Sequence, residues 1–109
     1  MDDSTVKDLV EAELAGAEAE AFANWHGITS ENIREFLIDP IEVTVVVWGQ
    51  EPGPRPMWLV LQEEEALEGY LVAFDPSSRM WGLVTHDRDD RFTLVSGLTD
   101  TFLDAVIGM

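Results

Sequence analysis

The densest group of potentially reactive side chains is a histidine with three acids: His86, Asp87, Asp89 and Asp90 lie within five residues. Imidazole and carboxylate groups coordinate metal cations in proteins. The segment lacks the alternating acids, the glycine and the distal glutamate of an EF-hand calcium loop. Aspartate is also a common turn former. The pattern therefore favours a solvated turn, and neither a metal site nor a cofactor is predicted.

Other catalytic patterns are missing from the sequence. The chain has no cysteine, which excludes disulfides, thiolate zinc sites and thiol nucleophiles. His26 lies at the end of a predicted helix, where the carbonyl end of the helix dipole favours an imidazolium without any catalytic role. No serine has a G-x-S-x-G context, and the proline-rich segment 49–56 lacks the order of a phosphate-binding loop. No catalytic residue is predicted.

The strongest feature of the composition is its acidity. The 109 residues include 22 acids against 6 lysines and arginines, a formal net charge of −16. Such a charge repels nucleic-acid phosphates and anionic lipid, so neither is an expected partner, whereas acidic surfaces steer basic proteins. Two acidic segments fall in predicted connections between strands. The predicted contact set is Glu63, Glu64, Glu65, Glu68, Asp87, Asp89 and Asp90, with Trp48, Trp58 and Trp81 as apolar anchors.

Two functional hypotheses follow from these features. The first is a non-catalytic module, of the kind found among immunity proteins, inhibitors and chaperones, that docks on a basic protein surface. The alternative is a small-molecule-binding domain or enzyme with a pocket between sheet and helices, using His86 and nearby carboxylates. Solubility or adaptation to high salt would also explain the acidity. In size, charge and element order the chain, which ends in Gly97–Met109, is similar to many small uncharacterised bacterial proteins and to some immunity proteins. It contains no motif that would assign a role to any residue.

Both ends of the chain have helical spacing. Apolar residues at intervals of three or four predict a first helix over Thr5–Trp25. A shorter second helix is expected over Ser30–Leu37, because Pro40 prevents its continuation. A third is predicted over Leu98–Ile107 with Thr99 as its N-cap.

The middle of the chain has the two-residue period of strands, rich in β-branched residues. Asp75–Ser78 matches a type I turn between two of them. The fold class is therefore α+β, a single domain over residues 1–109 in which an antiparallel meander packs against two N-terminal helices and one C-terminal helix. The predicted strands are Ile41–Trp48, Met57–Gln62, Tyr70–Phe74, Arg79–Thr85 and Arg91–Val95.

Both faces of the predicted sheet are apolar. An antiparallel sheet normally leaves one face to water, so the second face needs a cover. That cover is a second copy in a homodimer, a different partner, helices on opposite faces, or a sheet curled into a half-barrel.

The sequence shows no export or membrane signal. Met1–Leu14 lacks the basic segment followed by an apolar segment that a signal peptide needs, and no apolar run reaches the ~20 residues of a membrane span. A cytoplasmic location is expected.

Overall fold

The architecture is a small β-barrel with a helix near each end of the chain. A computed structural model describes residues 2–17, 27–47, 54–87 and 89–109. The elements are helix α1 (Asp3–Ala17), strands β1 (Leu37–Val46), β2 (Arg55–Glu64), β3 (Glu68–Asp75), β4 (Met80–His86) and β5 (Phe92–Leu94), and helix α2 (Phe102–Ile107). The predicted α+β class with a five-stranded, mostly antiparallel sheet is confirmed.

The meander closes on itself. Each strand pairs antiparallel with the next, and β5 then pairs with β1 to complete the barrel. In a five-strand meander the first and last strands run in the same direction, so this closing pair is parallel. It is also short, with Val45 opposite Phe92 and Val46 opposite Thr93.

Closure explains why both faces of the sheet are apolar. One cluster of side chains fills the barrel on the face away from the helices: Val45, Met57, Leu59, Leu71, Ala73 and Val84. A second cluster lies between the outer face and the helices, and includes Val6, Val10, Trp58, Phe74, Trp81 and Phe102. Both apolar faces are therefore covered by this chain, and neither requires a second copy.

The predicted second N-terminal helix is wrong. The segment forms only one 3-10 turn, Ile33–Phe36, and β1 begins immediately after it. Thr29 and Asn32 form a reciprocal cap at the start of this turn, since the Asn32 side chain accepts from the Thr29 N–H and the Thr29 hydroxyl accepts from the Asn32 N–H. The helix does not continue because Leu37 already pairs with Leu61 on β2. Pro40 lies inside β1, where the register with β2 shifts between Leu37 and Ile41.

The bounds of the other helices also differ from the prediction. Helix α1 starts at Asp3, and the Asp2 carboxylate accepts from the Thr5 N–H at 2.9 Å; the predicted stretch from residue 18 to Trp25 lies outside the described residues. The C-terminal helix is capped by Thr101 rather than Thr99, because Thr99 exchanges two backbone hydrogen bonds with Trp81. No helix in the described part of the chain combines the length and the apolar composition needed to cross a membrane.

Candidate functional site

The two predicted acidic segments lie at the same end of the barrel. The β2–β3 connection joins Glu64 to Glu68, which face each other at the start of β3. In the antiparallel pair of β3 and β4, Tyr70 lies opposite Thr85, so the start of β3 lies beside the end of β4. The β2–β3 and β4–β5 connections are therefore at the same end of the barrel. We call this surface the acidic end; it comprises Glu63, Glu64, Glu65, Glu68, Asp87, Asp89 and Asp90.

The β2–β3 connection has an unfavourable backbone conformation. Ala66 and Leu67 have φ values of 61° and 60°, and the Glu68 N–H donates to the Glu65 carbonyl. Two successive positive φ values are a feature of type I′ turns, which normally use asparagine and glycine. The left-handed conformation costs each residue other than glycine about 1 to 2 kcal/mol. The chain therefore holds this turn against the preference of its own residues.

Electrostatic repulsion adds to that cost. Glu64 and Glu68 are exposed and directly opposite each other, an arrangement that destabilises a sheet when the charges are alike. Within the described part of the chain, no ion pair reaches Glu64, Glu65 or Glu68. These three carboxylates form the part of the acidic end that is not used in the fold.

Glu63 has a structural role instead. It is half-buried, and its carboxylate accepts a hydrogen bond of 3.0 Å from the Tyr70 N–H. The carboxylate fits because residue 69 is glycine: a Cβ there would stand 2.5 Å from the Glu63 Oε1 atom. Glu63 therefore fixes the start of β3 rather than presenting a free charge.

The carboxylates of the β4–β5 connection are likewise engaged. One Asp87 oxygen accepts from the N–H groups of Asp89 and Arg91, at 2.9 and 3.0 Å. The Arg91 guanidinium lies 3.1 Å from the Asp89 carboxylate and 3.7 Å from that of Asp87. These acids shape and partly neutralise their own turn, so the negative charge of the acidic end is concentrated on the β2–β3 side.

His86 belongs to this turn rather than to a pocket beneath the helices. Its Nε2 atom lies 2.6 Å from the Asp90 carboxylate, and its ring stacks on Phe92 with centroids 4.3 Å apart. Across the described ranges, no three histidine or acidic side chains form a group that could hold a metal ion. The structure therefore gives His86 a structural partner on each side.

Two of the three predicted anchor tryptophans are core residues. The Trp81 ring lies 4.7 Å from Phe74 and 5.3 Å from Phe102, which joins the sheet to α2. Trp58 is 9% exposed and packs in the same cluster; its indole N–H has no hydrogen-bond partner. Neither presents its ring on the surface, and Trp48 lies outside the described residues.

A buried ion pair was missed by the sequence analysis. The Asp75 carboxylate is fully buried and accepts from the Arg55 guanidinium at 2.7 Å, the Ser77 N–H at 3.0 Å and the Ser78 hydroxyl at 2.9 Å. Burial raises the pKa of Asp75, but the bonds from Arg55, Ser78 and Ser77 outweigh it and hold the pKa below its ordinary value. The turn motif at Asp75 was visible in the sequence, whereas its partner on β2 was not.

Comparison with known proteins gives no relative from which a role can be transferred. No protein-family model, no curated protein and no solved structure matches the chain.

Proposed function

We propose that the protein is a non-catalytic binding module that docks through its acidic end on a basic surface of a protein partner. The observation that carries this proposal is the exposed trio Glu64, Glu65 and Glu68, which has no cationic partner within the described ranges. Inhibitors, immunity proteins and chaperones of basic effectors are the classes that this mode of action fits.

The energetics of the β2–β3 turn support the same proposal. Positive φ values at Ala66 and Leu67 and the facing carboxylates of Glu64 and Glu68 each cost free energy. Locally unfavourable features of this kind concentrate at functional sites. Lysine or arginine side chains of a partner would remove the repulsion, so binding would recover part of that cost.

The alternative, a pocket enzyme that uses His86, has less support. The imidazole is held between Asp90 and Phe92, and the carboxylates beside it are bonded within their own turn. The interior of the barrel is filled by the apolar cluster around Leu59 and Leu71. Among the described residues around His86, no arrangement favours general acid–base chemistry over a structural role.

The test is a pair of triple variants with the same change in net charge. The acidic-end variant is E64Q/E65Q/E68Q, and the control is E31Q/E35Q/E42Q, whose three residues are also exposed but lie elsewhere. Each immobilised protein is incubated with lysate of the cells that encode it, and retained basic proteins are quantified by mass spectrometry. We expect retention to fall about tenfold, or about 1.4 kcal/mol, for the acidic-end variant only.

Two results would overturn the proposal. An equal loss in both variants would mean that net charge, rather than this surface, attracts the retained proteins. Unchanged retention in both would remove the acidic end from the binding surface altogether.

A further inference from the structure

A groove runs between α1 and the C-terminal part of the chain, away from the acidic end. It consists of two adjoining cavities of about 350 and 360 Å³ that share Ala12 and Glu13. The first is also lined by Leu9, Phe74, Arg79, Trp81 and Asp100. The second is completed by Gly16, Thr101, Leu103, Asp104 and Ile107. We call the two together the helix groove.

The helix groove combines apolar walls with acids at its margins. Leu9 and Leu103 are half-buried, and Ile107 is 46% exposed, among the most exposed large apolar residues described. The carboxylate-bearing residues Asp100 and Asp104 are exposed beside them. Among the described residues that line the two cavities, Arg79 is the only cationic one. The groove thus offers apolar contact in its walls and predominantly negative charge around them.

We infer that the helix groove binds a basic amphipathic helix of a protein partner. A helix with apolar residues at every third or fourth position would place them against α1 and α2, and its lysines or arginines would face the acidic margins. The net charge of −16 favours a basic occupant of this kind. Both cavities are open to solvent, whereas small-molecule sites enclose most of their ligand. The helix groove shares no residue with the acidic end.

Ala12 provides a direct test because it is exposed and lines both cavities. Ala12→Arg would place a bulky cation in the middle of the groove. Ala15→Arg is the matched control: Ala15 is also exposed on α1 but lines neither cavity. Both substitutions change the net charge equally and suit a helix, and circular dichroism would verify that both variants fold.

The probe is a synthetic peptide of about 16 leucines and lysines, long enough to form a helix, with its leucines on one face. A scrambled peptide of the same composition distributes the leucines around the helix. Affinities are measured by calorimetry at about 0.15 M salt, where distant charges are screened. We expect the patterned peptide to bind about tenfold more weakly to Ala12→Arg, a loss of about 1.4 kcal/mol, while Ala15→Arg stays within about twofold.

Three results would overturn the inference. Equal weakening by Ala12→Arg and Ala15→Arg, or equal binding of the two peptides, would reveal unspecific attraction to an acidic protein. The absence of saturable binding to the wild-type chain would mean that the groove does not accept such a helix. The E64Q/E65Q/E68Q variant should bind the patterned peptide like the wild type, so failure here is distinguishable from failure of the acidic-end proposal.

Discussion

Asp75 is the only buried charged side chain among the described residues, and it joins three parts of the barrel. Its carboxylate binds Arg55 on β2 and two residues of the β3–β4 turn. Asp75→Asn keeps the shape but leaves the guanidinium of Arg55, which is 21% exposed, without its counter-ion. We expect the free energy of unfolding, measured with urea, to fall by about 3 kcal/mol.

The same variant gives the pH dependence of this pair. Because the native pKa of Asp75 is lowered, its stabilising contribution is complete above the unfolded value of about 3.9 and is lost as the pH falls through the native pKa. The difference in stability between wild type and Asp75→Asn should therefore be constant near neutral pH and shrink in acid below about pH 4. A difference that is equally large at about pH 2 would contradict this account of the pair.

The β2–β3 turn is the element whose conformation its sequence opposes most clearly. Ala66 is exposed with φ 61° and ψ 27°, a conformation that glycine adopts without steric cost. Ala66→Gly should raise the free energy of unfolding by about 0.5 to 1 kcal/mol. Ala15→Gly, at an exposed position of α1, should instead lower it by about 0.5 to 1 kcal/mol. Urea unfolding that shows the same sign for both variants would exclude a left-handed turn at Ala66.

Elements with a strong local signal could be predicted, and those decided by distant contacts could not. The two-residue period located all five strands, and the Asp75 turn was found from its residue types. The helix over Ser30–Leu37 was wrong because Leu37 pairs with Leu61 on β2, which is 24 residues away, so the segment becomes a strand after one turn. The start of α2 was misplaced because Thr99 pairs with Trp81, which is 18 residues away.

The candidate site was only partly visible in the sequence. The acidic runs identified the residues, but which carboxylates are unpaired depends on Arg91 and Tyr70, whose positions come from the strand register. The two apolar faces correctly indicated a need for a second cover. A sheet curled into a half-barrel was one of the predicted alternatives. Full closure could not be predicted, because it rests on two residue pairs between β1 and β5, segments nearly fifty positions apart.

The whole molecule carries a net charge of −16, so the folded chain repels itself. The Debye length falls from about 30 Å at 0.01 M salt to about 10 Å at 0.1 M, which screens this repulsion. Salt also weakens exposed ion pairs, but the described residues form only a few of them, and each contributes about 0.2 to 1 kcal/mol. We expect the melting temperature to rise by about 4 to 8 °C for each kcal/mol of repulsion removed. A melting temperature that falls over this salt range would contradict the expectation.

The central claim is that Glu64, Glu65 and Glu68 form the surface that binds a basic protein. The most direct measurement is a competition in which wild type, E64Q/E65Q/E68Q and E31Q/E35Q/E42Q, distinguished by isotope labels, are mixed in equal amounts with lysate. Native mass spectrometry then identifies which of the three proteins is present in complexes. We predict that wild type and the control variant each form a complex with the same basic protein, while the acidic-end variant stays free. Equal occurrence of all three in complexes, or of none, would contradict the claim.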